Sequence, residues 1–263
     1  MYRFTPPFHL KMRKLIFRWN AEKTAPLCGR KEILMTETTT AARDILTAER
    51  VTYAYKTRHQ IVYAVRDVSY TFKSGTVYAI VGKSGCGKTT LISTLAGLDV
   101  PTMGKVLFDG KSTMELDRDL YRRRDVAVIY QNYNLFPLLT VMENVLYPMQ
   151  LQRKPRQEAK ALAEQSLRSV GLDESYWKRL PAMLSGGEQQ RVAIARAIAG
   201  GQKIILADEP TGNLDGENSD LVMKTFQRLA HEEGYCVIIV THDPQIADES
   251  DVIIRMASGK IVS

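Results

Sequence analysis

Polar and apolar positions are arranged in two ways along this chain, and each way predicts a different kind of element. Over residues 46–55 and 63–72, aromatic and β-branched residues recur at strand spacing, and Lys73, Ser74 and Gly75 supply a turn. Residues 77–81 form a short unbroken apolar run, the pattern of a strand buried on both faces. A glycine-rich loop follows, then a helical stretch over 88–98. Residues 106–109 and 126–130 are further strand candidates. Thr140 with Glu143, and Ser185 with Glu188, have capping-box spacing at helix starts. Pro155 suits a helix start and Gly171 its end, while Gly200 and Gly201 stop the helix that Ser185 opens. A strand (203–208), a helix (217–233) and a strand (235–241) come next. A closing hairpin over 252–263 turns at Ser258 and Gly259. Strands alternating with helices predict an α/β fold with a mainly parallel sheet. An antiparallel β part precedes it, and an α-helical subdomain is inserted near 134–184.

Composition narrows the class. With 263 residues, 44% of them hydrophobic and 25% charged, the chain has material for one compact domain with a subdomain. Its charge of +7 is unevenly placed. Residues 1–34 hold eight Lys/Arg against two acids, and the other 28 basic and 27 acidic residues nearly cancel. The folded part offers no electrostatic footprint for nucleic acid, so no nucleic-acid partner is expected. Cys28, Cys86 and Cys236 are odd in number and widely spaced, which fits free thiols in a reducing compartment. The longest apolar run, 236–240, is strand-sized, well short of the ~18–20 residues that cross a bilayer. Any membrane path this protein serves is expected in other chains.

Phe8, Met12, Leu15, Ile16 and Trp19 recur at helical spacing among Lys11, Arg13, Lys14 and Arg18. The segment reads either as a basic amphipathic helix for an anionic membrane surface, or as a disordered extension or mis-set start ahead of Met35. Residues 1–44 are accordingly expected to stand apart from a domain covering 45–263.

Two motifs carry chemistry on their own. Gly82, Lys83, Ser84, Gly85, Cys86, Gly87, Lys88 and Thr89 fit GxxxxGK[ST] between an apolar strand and a helix. Glycines let such a loop bend so that successive N–H groups face phosphate oxygens, and the next helix adds its positive end. Lys88 brings a mobile charge for the β and γ phosphates. Thr89 brings a hydroxyl for Mg²⁺, and Thr90 stands beside it. The second motif is the strand ending at Asp208 and Glu209. Strand ends facing a phosphate loop are where an open parallel sheet puts its ligands. Asp208 suits Mg²⁺, and Glu209 suits a general base for the attacking water. Taken alone, the two acids fit equally well as caps of the turn at Pro210 and Gly212.

Leu184, Ser185, Gly186, Gly187, Glu188, Gln189, Gln190 and Arg191 resemble the LSGGQ signature of ABC-type ATPases, with Glu188 as a variant position. Other elements follow the order of that family. Gln131 resembles the Q-loop glutamine, which implies a place at Mg²⁺ and the reacting water. Asp215, closing Gly212, Asn213 and Leu214, resembles the D-loop aspartate, and His242 the switch histidine. Tyr55 resembles the ring that stacks on adenine, with Tyr53 as its rival. The resemblance covers about 45–263 and implies a P-loop NTPase core that uses ATP and Mg²⁺. It also implies a head-to-tail homodimer with two ATP molecules between phosphate loop and opposing signature, where Ser185, Gly186 and Gly187 form a second anion site. Integral membrane permease subunits would be the partners, with the protein peripheral on the cytoplasmic face of the membrane. Residues 131–139 and the helical subdomain would pass motion to them. Residues 134–144 and 211–215 look most like the macrolide-export, lipoprotein-release and antimicrobial-peptide-export subgroup. A soluble, non-transport ABC ATPase acting on a macromolecular complex is the alternative.

Overall fold

The computed structural model describes residues 42–262 except His59, so the amphipathic segment and Cys28 lie outside the described residues. The first part of the chain forms β1 (Asp44–Lys56), β2 (Ile61–Lys73), β3 (Thr76–Val81), α1 (Lys88–Leu95), β4 (Met103–Phe108) and β5 (Lys111–Ser112). Next come α2 (Arg118–Arg124), β6 (Val126–Ile129), α3 (Val141–Leu151), α4 (Arg156–Ser169) and α5 (Gly186–Ala199). The last part holds β7 (Ile204–Asp208), α6 (Gly216–His231), β8 (Cys236–Thr241), α7 (Pro244–Asp248), β9 (Val252–Ala257) and β10 (Lys260–Ile261).

These strands build two sheets. One is antiparallel, in the order β2-β1-β4-β5. The other runs β10-β9-β3-β8-β7-β6 and is parallel except where β10 turns back on β9. The parallel strands read as continuous apolar runs because both faces are covered. Their alternate side chains enter two separate cores. Val77, Ile205, Ala207, Val237 and Ile239 join the cluster that includes α3, α4, α5 and α6. Tyr78, Ile80, Ile204, Leu206, Ile238 and Val240 join the cluster that includes α1 and the antiparallel sheet. Both cores thus meet at one sheet, and the loops at its C-terminal edge are held from two sides.

Both predicted capping boxes are present. Thr140 and Glu143 close the start of α3, and Ser185 and Glu188 the start of α5. α1 stops at Leu95, short of the predicted 98, because Gly97 takes φ +66 and Leu98 N–H folds back to the Ser93 carbonyl. β5, α2 and α7 lie outside the sequence reading. They are short, and their starts at α2 and α7 are set by Asp117 and Asp243 accepting backbone N–H bonds.

Candidate nucleotide site

The loop after β3 is held in shape by its own carbonyls. Cys86 N–H donates to the Lys83 carbonyl, and Lys88 Nζ donates to the carbonyls of Gly82 (2.7 Å) and Lys83 (3.4 Å). A methyl on Gly82 would overlap the Met256 carbonyl oxygen and lie 2.8 Å from Cys86 Sγ, so only glycine fits between β3 and β9 here. Gly85 and Gly87 adopt φ +76 and +107. Gly87 is the N-cap of α1, and no side chain caps that helix. Its first N–H groups therefore have no side-chain cap, and such donors are what a helix start can offer an anion. Ser84, Gly85 and Thr89 are exposed and Thr90 is buried. Val81 to Cys86 line a cleft of about 900 Å³ with His242, Asp243 and the β9 residues Arg255 and Met256.

At the end of β7, burial pushes the Asp208 carboxyl up, and Glu209 adds to it, while a hydrogen bond from Thr89 and the charge of Lys88 work the other way. Asp208 and Thr89 from the two motifs are therefore near neighbours. A half-buried carboxylate near a hydroxyl is an oxygen donor pair of the kind a hard divalent cation takes. Glu209 leaves the strand with φ +49 and is fixed by its N–H bond to the Val240 carbonyl. A non-glycine residue in that region is held against a cost of roughly 1–2 kcal/mol. The turn aims its carboxylate at β8, where His242 Nδ1 lies 2.9 Å from Glu209 Oε1. His242 is open to solvent and Glu209 mostly covered.

Gln131 lies against the turn after β7. Its carbonyl accepts from Asn213 Nδ2 at 3.2 Å, and its side-chain Nε2 would be 3.3 Å from a methyl on Gly212, whose other neighbours belong to Glu209. Two residues on, Tyr133 and Asn134 are both left-handed, and Arg196 of α5 holds their carbonyls at 3.0 and 2.8 Å. Burial lowers the Arg196 guanidinium from its ordinary value. Asn144, fully buried in α3, bonds Phe136 N–H and the carbonyls of Phe136, Leu139 and Thr140, and so shapes the rest of that loop.

Ser185 caps α5 through Glu188 N–H, and Glu188 returns a bond to Ser185 N–H. Burial works to raise Glu188, but these bonds and one from Tyr176 hold it below the usual carboxylate range. Gly187 is required by Asn218, whose amide a methyl would overlap. That amide donates to Asp215 Oδ1 at 2.8 Å and accepts from Arg191 Nη1 at 2.8 Å. The bonds from Asn218 also keep the Asp215 carboxyl low, and Asp215 caps α6. The neighbours of Gly186 and Gly187 are Tyr133, Asn213, Leu214 and Asn218, none of them in the phosphate loop. Tyr55 is 47% exposed, with its hydroxyl 3.2 Å from Thr90 Oγ1. Its rival Tyr53 is more covered and bonds Asp99.

Arg196 and Asn218 escape the sequence reading, since their partners Tyr133, Asn134 and Arg191 are far away in the chain, while Asn144 falls inside 134–144 without a role assigned to it. Among the described residues no helix is long and apolar enough to cross a membrane, and no cluster of three His, Cys, Asp or Glu side chains forms a metal site.

The ABC transporter family matches residues 65–212. The chain is 41% identical over 215 residues to YclH of Bacillus subtilis, described as an uncharacterized ABC transporter ATP-binding protein, covering 82% of this chain and 94% of that one. It is 43% identical over 197 residues to LolD of Syntrophotalea carbinolica, the ATP-binding protein of a lipoprotein-releasing system, covering 74% and 86%. Over 205 residues it is 42% identical to MacB of Aggregatibacter actinomycetemcomitans, a macrolide export ATP-binding/permease protein. That match takes in 77% of this chain but only 32% of MacB. Solved structures of MJ0796 from Methanocaldococcus jannaschii superpose with TM-score 0.77 at 37% identity, over 83% of this chain and 97% of that one. Those structures are a dimeric ABC transporter cassette and a post-hydrolysis dimer with ADP and Pi. The chain has the P-loop NTPase fold and belongs to the ABC transporter family, as one of its ATP-hydrolysing subunits.

Proposed function

We propose that residues 45–263 work as an ATPase domain that dimerises head to tail around two ATP molecules and drives separate integral membrane subunits, with residues 134–184 as its helical subdomain. The observation that carries the chemistry is the Glu209–His242 pair beside the Asp208–Thr89 pair at one sheet edge. The phosphate loop and Lys88 take the β and γ phosphates, and Tyr55 offers its exposed ring to adenine. Glu209 accepts a proton from the attacking water. His242 orients Glu209, and its second ring nitrogen is free to reach toward the γ-phosphate. Asp208 and Thr89, with Gln131 next to Glu209, would hold Mg²⁺, which neutralises charge on the phosphates when bound.

Two facts support the head-to-tail arrangement. The signature glycines face their own D-loop rather than their own phosphate loop, so the anion site at Ser185, Gly186 and Gly187 is available to a nucleotide held by another copy. The neighbour MJ0796 is a dimer. MacB carries its permease in one chain, and this chain matches about a third of it. LolD, matched over 86% of its length, is the ATP-binding protein of a lipoprotein-releasing system, which supports reading the partner as a separate permease and the protein as peripheral at the cytoplasmic face of the membrane. The nearly neutral charge of residues 35–263 supports a partner other than nucleic acid.

The test is a pull-down from native membranes with tagged Glu209→Gln, ATP and Mg²⁺, which slows hydrolysis and holds the closed dimer. The expected result is an integral membrane protein recovered with the tagged chain. Recovery of ribosomes or nucleic acid alone would overturn the transport reading and leave the ATPase site standing.

A further inference from the structure

The turn between β9 and β10 belongs to no chemical motif, yet it is bonded to the phosphate loop. Gly259 N–H donates to the Cys86 carbonyl at 2.9 Å. The Gly259 carbonyl accepts from Arg66 N–H of β2 at 2.7 Å. One residue thus ties the phosphate loop to the antiparallel sheet. Ser258 and Gly259 are both left-handed, with φ +48 and +83. A methyl on Gly259 would lie 2.9 Å from the Ala64 carbonyl oxygen, and one on Gly87 would overlap the same oxygen. Ala64, Gly87 and Gly259 therefore meet backbone to backbone, with no room for a side chain at either glycine.

The bond to Cys86 has a direction. A trans peptide is planar, with its C=O and N–H pointing opposite ways. Drawing the Cys86 carbonyl toward the hairpin turns Gly87 N–H to the other side of the loop. Gly87 heads α1 with no side-chain cap, so its N–H belongs to the donors that a helix start offers an anion. We propose that Gly259 is a positioning residue for nucleotide binding: through the Cys86 carbonyl it aims Gly87 N–H at the phosphates. The proposal rests on the reading of residues 82–89 as the phosphate loop.

The experiment measures ADP affinity by titration calorimetry in the full chain. Gly259→Ala is compared with Gly171→Ala, which carries similar backbone strain (φ +75) in open space. Gly259→Ala is expected to weaken ADP at least tenfold, with Gly171→Ala within twofold of the parent. A second protein keeps the test independent of folding. Residues 258–263 are ligated on as a synthetic segment with the Gly259 amide replaced by an ester, Ser258→Cys serving as the junction. The matched amide version is the control. The ester removes one N–H and no shape, and a severalfold weaker ADP affinity is expected. Equal affinity in the ester and amide proteins overturns the proposal. A parent chain that binds ADP no better than Lys88→Ala would overturn the phosphate-loop reading instead.

Discussion

Asn218 occupies the space a side chain at position 187 would need, and its amide holds Asp215 and Arg191 at once. Gly187→Ala is expected to destabilise the fold by about 1–3 kcal/mol through overpacking. Adding Asn218→Ala should restore much of that, and urea unfolding of the single and double variants measures the coupling. Absence of any restoration would trace the requirement to the backbone alone. Asp208 makes a prediction with a definite sign. Its carboxyl is raised above its unfolded value, so the folded protein binds that proton more tightly than the unfolded chain. The favourable contribution is present at low pH and is lost as pH rises through the raised value. In EDTA, Asp208→Asn should therefore melt higher than the parent at pH 7, with the gap closing toward pH 4. Adding Mg²⁺ should raise the melting point of the parent and not of the variant. The placement of Lys88 and Thr89 at the start of α1, and of Asp208 and Glu209 at the end of β7, was legible in the sequence because a glycine-rich loop and an apolar run ending in acids are local patterns. Asn218 and Arg196 were not, since Asn218 meets Arg191 27 residues away and Arg196 meets Tyr133 63 away.

α5 links three loops. Its start carries the signature, its first turns meet Asn218 and so the D-loop, and Arg196 near its end holds the loop after Gln131. Caps made this helix and α3 readable from sequence, because a capping box is a local arrangement of four residues. β5, α2 and α7 were not readable: β5 has only two residues, and the helices α2 and α7, with seven and five, span at most about two turns. Between Gln131 and α3, Asn144 shapes a loop that leaves Leu138 66% exposed beside Phe136, whose ring packs on Tyr147 at 4.6 Å. If this loop meets the membrane subunits, Phe136→Ala should lower transport coupling while basal ATPase activity stays intact. Measured side by side in proteoliposomes, an equal loss of both would remove the loop from that role.

At the scale of the described residues as a whole, one sheet, parallel but for β10, separates two cores, and its parallel strands alternate between them residue by residue. The apolar runs revealed the buried sheet, but strand order and the pairing of the antiparallel sheet depend on contacts that no run encodes. Cys236 sits at the sheet's centre, fully covered, and burial pushes its thiol up. Alkylation at Cys236, followed by site-resolved mass spectrometry, should proceed only as fast as the domain opens globally. Faster labelling would reveal a local opening of β8. The phosphate loop adds a kinetic consequence to this rigidity. Lys88 is bonded to loop carbonyls, and Cys86 is bonded to the far hairpin. A loop braced by its own chain needs no rearrangement on collision, so solvent viscosity rather than loop motion should set the rate at which nucleotide is captured.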